Sequence, residues 1–241
     1  MMFTKIAIIG TGNIGTWLFE TLQTQNNLAV ISILSREIET LPQDFDLYIF
    51  ALKDDIYDIV LQKIPFKMPH VVHTSGSLSQ NILAPYSEKY GVIYPYQTIK
   101  REKGEKEKGE GKVPICVEAS NPAFENALFQ WANTISNIVY KTNEKQRFAM
   151  HLAAVFAGNF TNAMYDVAYQ IFKENSLEWS LILPLLENTL EKAKYNAPHL
   201  VQTGPAVRGD ISIMEKHCNA LNDEALKILY RLVSEIIQQR L

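Results

Sequence analysis

Apolar residues in the first 142 positions fall in short runs separated by longer, helix-like stretches. Lys5-Ile6-Ala7-Ile8-Ile9-Gly10 is apolar at consecutive rather than alternate positions, which is the pattern of a strand covered on both faces. A helical stretch follows over 14–24. Further strands are predicted at 28–34, 46–52, 70–73, 91–94 and 113–118, with a helix over 54–62. Strands alternating with helices imply βαβ units and a mostly parallel sheet. From Asn143 onward the strand signals stop. Residues 147–172 contain no proline and are apolar on nearly all sides, with Ala153, Ala154, Ala157 and Gly158 in the middle. That pattern predicts one long buried helix closely approached by its neighbours. Residues 177–195 are helical in pattern, and Pro184 either kinks that helix or opens a second one. Asn222 reads as an N-cap, with Asp223 and Glu224 in the first turn beyond it, and Leu226, Leu229, Val233 and Ile236 share one face of a closing helix. The expected organisation is an α/β domain over 1–142 followed by an all-helical domain over 143–241.

Between the last two predicted strands, residues 100–112 hold six positive and four negative charges, three glycines and no apolar side chain. Such a segment buries too little to offset its ordering entropy and reads as a solvated loop. Across all 241 residues, 47% apolar against 20% charged is globular composition. A net charge of -3 argues against nucleic acid or an anionic membrane as partner. The two cysteines, Cys116 and Cys218, are too few for a disulfide scaffold or a CxxC zinc site. His217 and Cys218 are adjacent and diverge by about 100° on a helix, so no metal is expected there. No apolar run approaches the roughly 20 residues of a spanning helix. The opening Met1-Met2-Phe3-Thr4-Lys5 enters a strand at once, with no signal peptide. A soluble cytoplasmic protein is expected.

Gly10-Thr11-Gly12-Asn13-Ile14-Gly15 is a GxGxxG sequence placed directly after the first strand and opening the first helix. There the first glycine makes a tight turn, the second admits a pyrophosphate, and the third packs helix on strand. The helix-start N–H groups then hold the phosphates. An acidic residue at the end of the second strand would take the ribose hydroxyls of NAD. This chain has Ser35-Arg36 instead, a hydroxyl and a guanidinium suited to the 2′-phosphate of NADP. Ala51-Leu52-Lys53 and Thr74-Ser75-Gly76 stand at the carboxyl ends of the next two strands, where an open parallel sheet binds its ligands. Two readings stand for each: Lys53 lines the cofactor groove or is solvated, and the 74–76 segment approaches the nicotinamide or is plain turn chemistry.

The glycine loop, Ser35-Arg36, Ala51-Leu52-Lys53-Asp54, His73-Thr74-Ser75-Gly76-Ser77 and Thr203-Gly204-Pro205-Ala206-Val207-Arg208-Gly209-Asp210 occur in that order. Together they resemble the Rossmann-like NADP oxidoreductases whose C-terminal half is a domain of unknown function. Pyrroline-5-carboxylate reductase, 6-phosphogluconate dehydrogenase and the deazaflavin-dependent NADP reductases are more distant relatives. The resemblance implies a Rossmann domain, a helical domain that often dimerises, and a small-molecule substrate held between them. Where relatives commonly have His-Pro after the fifth strand, this chain has Tyr94-Pro95-Tyr96-Gln97, which puts an imidazole role there in doubt.

In the helical half, His151 and Asn159 lie eight residues apart, about 80° around a regular helix, so both can border one groove. Distant reductases place polar groups on the corresponding helix facing the nicotinamide. On that reading His151 exchanges a proton with a carbonyl or imine and Asn159 positions it, with Tyr94 as the other candidate donor. On the other reading they are satisfied core polar groups. Arg208 and Asp210 either anchor an anionic substrate or cap a helix. The resulting expectation is an NADP-dependent, homodimeric oxidoreductase transferring a hydride between nicotinamide and a small carbonyl, imine or alcohol. The alternative is a dinucleotide-binding sensor or scaffold without turnover.

Overall fold

The computed structural model describes residues 3–100 and 113–240. The 101–112 part of the charged segment lies outside them. Seven strands form one sheet: β1 (Lys5–Ile9), β2 (Ala29–Ile33), β3 (Leu47–Phe50), β4 (Val71–His73), β5 (Tyr90–Pro95), β6 (Ile115–Ala119) and β7 (Val139–Lys141). Their order is β2-β1-β3-β4-β5-β6-β7. Every neighbouring pair is parallel except β5–β6, where Tyr94 stands opposite Cys116. This is the mostly parallel sheet that the alternation of runs predicts.

The consecutive apolar residues of β1 are explained by its two buried faces. Ile6 and Ile8 pack with Leu18 and Leu22 of α1 (Asn13–Gln23) and with Phe124, Leu128 and Trp131 of α3 (Pro122–Ala132). Ala7 and Ile9 point the other way, toward Ile38, Tyr48, Phe50 and the residues Tyr57 and Leu61 of α2 (Tyr57–Leu61). Period-two side-chain direction thus divides one continuous run between two cores. The predicted helix over 54–62 forms as a 3₁₀ turn, Asp54–Ile56, running into α2. Both α3 and β7 lie in a stretch to which the periodicity assigned no element. Asn121 caps α3 by accepting from the Phe124 N–H at 2.9 Å, and Pro122 opens it.

The chain divides into two compact units, Met1–Met164 and Tyr165–Leu241. The first runs past the last strand and takes in α4 (Glu144–Ala154), which starts on a capping box formed by Asn143 and Gln146. The single buried helix expected over 147–172 is corrected here. A π turn, Val155–Phe160, separates α4 from α5 (Thr161–Glu174), and no residue of α5 is buried within this chain. Phe148, Leu152, Phe156 and Phe160 are each about half exposed or more. The apolar pattern of the stretch therefore does not mark one uniformly buried helix.

The second unit contains α6 (Leu183–Tyr195), α7 (Pro205–Arg208), α8 (Ile211–Ala220) and α9 (Glu224–Gln238). Pro184 opens α6 rather than kinking it. The N-cap of α9 is Asp223, not Asn222: its carboxylate accepts from the Ala225 N–H at 2.7 Å. Among the described residues, no helix is long and apolar enough to cross a membrane.

Candidate active site

Loops at the carboxyl ends of the parallel strands build the site. At the end of β1, Gly10 takes φ +116°, and a Cβ there would lie 2.2 Å from the Ala51 carbonyl oxygen. A Cβ on Gly15 would lie 2.0 Å from the Gly10 carbonyl oxygen, whereas one on Gly12 would meet nothing within 4 Å. Two glycines are therefore required by the protein's own backbone, and the middle one opens onto free space. Thr16 Oγ1 donates to the Thr11 carbonyl at 3.1 Å and braces the loop from behind. No side chain caps α1, and no carboxylate sits in its first turn. Exposed Thr11, Gly12 and Asn13, followed by Ile14, thus present helix-start N–H groups to an incoming anion. These residues fit a dinucleotide pyrophosphate.

Ser35 and Arg36 open a 3₁₀ turn directly after β2. The Arg36 side chain is 80% exposed, with Glu37 Oε1 3.8 Å from its Nε. That guanidinium is available to a phosphate. Leu52 and the exposed Lys53 follow Ala51 at the end of β3. Tyr57 Oη fixes this corner by donating to the Phe50 carbonyl at 2.8 Å, and burial raises its phenol pKa well above the ordinary value.

Thr74, Ser75 and Gly76 are buried after β4, and the Thr74 N–H donates back to the Phe50 carbonyl at 3.0 Å. Ser75 Oγ accepts from the Ser77 and Leu78 N–H groups at 3.0 Å each. The Ser75 N–H donates to His73 Nδ1 at 3.1 Å. Burial, and then the Arg147 cation, push the His73 pKa down to about 3, so this imidazole is neutral.

Over this loop stands His151 of α4. Its Nδ1 lies 3.0 Å from Tyr94 Oη, the rings meet edge to face, and a Cβ on Gly76 would come within 2.7 Å of Nδ1. Burial pushes the Tyr94 phenol up to about 12. A phenol that stays protonated donates to a bare Nδ1 and accepts from Nδ1–H; in both cases Nε2 is left out of the bond. The structure therefore joins Tyr94, His151 and Gly76, and an imidazole reaches the end of β5 from a helix rather than from the strand.

Asn159 lies exposed in the π turn, and among the described residues no hydrogen bond joins it to His151 or Tyr94. The regular 100° step that related it to His151 does not hold across that turn. Arg208 ends α7 exposed, and Asp210 sits at the N-cap position of α8, its carboxylate accepting from Ser212 Oγ at 3.3 Å. Both belong to the second unit. His217 Nδ1 pairs with Tyr230 Oη at 2.8 Å while Cys218 is buried. Among the described residues no three His, Cys, Asp or Glu side chains gather as metal ligands.

Sequence reasoning missed Arg147. Although charged, it is wholly buried, and it donates to Glu118 Oε2 at 3.2 Å and to the carbonyls of Ser75 and Leu78 at 3.0 and 2.8 Å. Its only signal was an arginine at the first turn of an otherwise apolar stretch.

A family model described as a domain of unknown function, DUF2520, matches residues 113–237. A Bacteroides fragilis protein described as a candidate NADP oxidoreductase is 32% identical, covers 98% of each chain and superposes with a TM-score of 0.88. The chain belongs to the DUF2520 family. Two more distant structures share its fold with this DUF2520 protein. One is an imine reductase of Aspergillus terreus solved with NADPH4 and a dibenzazepine (15% identity, 99% and 95% coverage, TM-score 0.66). The other is a Plasmodium falciparum pyrroline carboxylate reductase with NADP bound (15% identity, 98% and 99% coverage, TM-score 0.53). No curated protein matches significantly.

Proposed function

We propose that this protein is an NADP-dependent oxidoreductase that moves a hydride between the nicotinamide and a small carbonyl, imine or alcohol substrate. The Gly10–Gly15 backbone binds the pyrophosphate, Ser35 and Arg36 the 2′-phosphate, and the 74–76 backbone approaches the nicotinamide; Ala51, Leu52 and Lys53 wall the groove. When bound, the nicotinamide supplies or takes the hydride. The chain's own task is the accompanying proton. His151 holds it at Nε2 and passes it to the substrate oxygen or nitrogen, while Tyr94 keeps Nδ1 engaged and the ring fixed. The observation that carries this reading is the Tyr94–His151 pair over Gly76, at the same carboxyl edge of the sheet as the glycine loop.

The 32% identical Bacteroides protein, described as a candidate NADP oxidoreductase, supports the cofactor and the reaction class. Asn159 lining the substrate side and Arg208 with Asp210 anchoring a substrate anion remain part of the proposal. So do a cytoplasmic location and a homodimer formed through the exposed apolar residues of α4, the π turn and α5.

NADPH oxidation with a panel of keto acids, cyclic imines and aldehydes tests the reading. Turnover with one class is expected, and His151→Ala should lower kcat by ~10²-fold or more with NADPH affinity nearly unchanged. Tight NADPH binding with no consumption across the panel is the outcome of a sensor and overturns the enzyme. Unchanged turnover in His151→Ala moves the proton to another group, with Tyr94→Phe next.

A further inference from the structure

A guanidinium with no solvent exposure must have its donors matched, and Arg147 spends them on one loop and one strand. Nη1 and Nη2 hold the carbonyls of Ser75 and Leu78, and Nε holds Glu118 on β6. Glu118 is tied to the same loop a second time, since its Oε1 accepts from Gln80 Nε2 at 3.1 Å. The loop does not need this cation to close, because Ser75 Oγ already makes its turn. A buried ion pair of this kind is weak evidence for stability, whereas three bonds from one planar guanidinium to a strand and a loop fix their relative placement. Four residues further along α4, on the same face, His151 packs on Gly76 of that loop. Gly76 lies between Ser75 and Leu78, whose carbonyls Arg147 grips.

We propose that Arg147 is a positioning residue: by clamping the 75–78 carbonyls to α4 it sets the distance between the Gly76 backbone and the His151–Tyr94 pair. The inference rests on the oxidoreductase reading for its consequence in turnover, and not for its geometry. Lysine at 147 keeps the charge and cannot hold two carbonyls and a carboxylate in one plane. Gly76→Ala displaces His151 from the opposite side, because the added Cβ falls within 3.0 Å of three ring and stem atoms. Both changes therefore loosen the Nδ1 to Tyr94 bond while leaving the glycine loop and Arg36 untouched.

The test is the ¹⁵N spectrum of the His151 ring in nucleotide-free protein, with Tyr94→Phe as the reference for a broken bond. Arg147→Lys and Gly76→Ala should each move the Nδ1 resonance toward the Tyr94→Phe position. NADPH affinity should stay within ~3-fold in Arg147→Lys, and kcat should fall at least ~10-fold in both variants with KM little changed. A lower Tm with an unmoved Nδ1 resonance and wild-type kcat is the signature of a merely structural arginine and overturns the proposal. Should Arg147→Lys fail to fold, an unmoved resonance in Gly76→Ala overturns it equally. If wild type consumes no NADPH with any substrate, the oxidoreductase reading falls, and the ring spectra still decide the clamp.

Discussion

Arg36 leaves the end of β2 with most of its side chain in solvent and a loose contact to Glu37. A phosphate placed there gains a charge-assisted contact that NADH cannot make. NADPH should accordingly bind at least ~10-fold more tightly than NADH, the selectivity shrinking as salt rises. Arg36→Ala should weaken NADPH and leave NADH where it was, as read by calorimetric titration of both nucleotides; equal loss for both refutes the assignment. His73 makes a different kind of prediction. In the fold its imidazole stays neutral down to about pH 3, whereas in the unfolded chain it takes a proton below 6.5. The unfolded state binds the extra proton in that window, so the stability contribution is complete above 6.5 and is lost as pH falls toward 3. The loss approaches about 1.4 kcal/mol per pH unit. His73→Asn keeps an acceptor for the Ser75 N–H and does not titrate. Urea unfolding at about pH 7.5 and about pH 5 should therefore show a shallower pH dependence in the variant than in wild type.

Among the elements, α4 matters most, because it carries both Arg147 and His151 and its start is set by Asn143. The Asn143 side chain accepts from the Gln146 N–H, and Gln146 Oε1 accepts from the Asn143 N–H, at 2.9 and 3.0 Å. Asn143→Ala removes one half of that box and should lower stability by about 1 kcal/mol in urea unfolding. Asn143→Asp should recover most of it. The apolar stretch that follows was read from the sequence; the capping box that starts the helix was not. Nor was the π turn at 155–160, since one wider turn leaves no mark in a pattern read with a 3.6-residue period. Asn159 lost its computed angle to His151 for that reason. Strand β7 was missed because three residues, two of them exposed, carry too little periodicity.

At the scale of the whole molecule, each compact unit carries apolar helix residues that are exposed. Phe148, Leu152, Phe156 and Phe160 expose apolar surface along consecutive turns, and Ile228, Leu232, Val233 and Ile236 do so along α9. The proposed homodimer would bury such residues, a second copy being the simplest closed assembly. Light scattering at micromolar concentration should give about twice the 27.4 kDa of one chain. A mass of one chain across that range counts against the homodimer.

The sequence by itself determined the parallel β1–β5 part of the sheet and the glycine loop at its carboxyl edge. β1 runs directly into the glycine loop, and Ser35 and Arg36 follow β2 directly, so their conformation follows from local rules of strand burial, turn geometry and helix starts. It also supplied His151 and Tyr94 as separate candidates. Only the tertiary structure joined them, because 57 positions part them along the chain and their 3.0 Å contact depends on how α4 lies against β5. Arg147 shows the same limit most clearly. Nothing in the order of residues says that an arginine will be buried; that is decided by a carboxylate from β6 and two carbonyls from the loop after β4 arriving around one guanidinium.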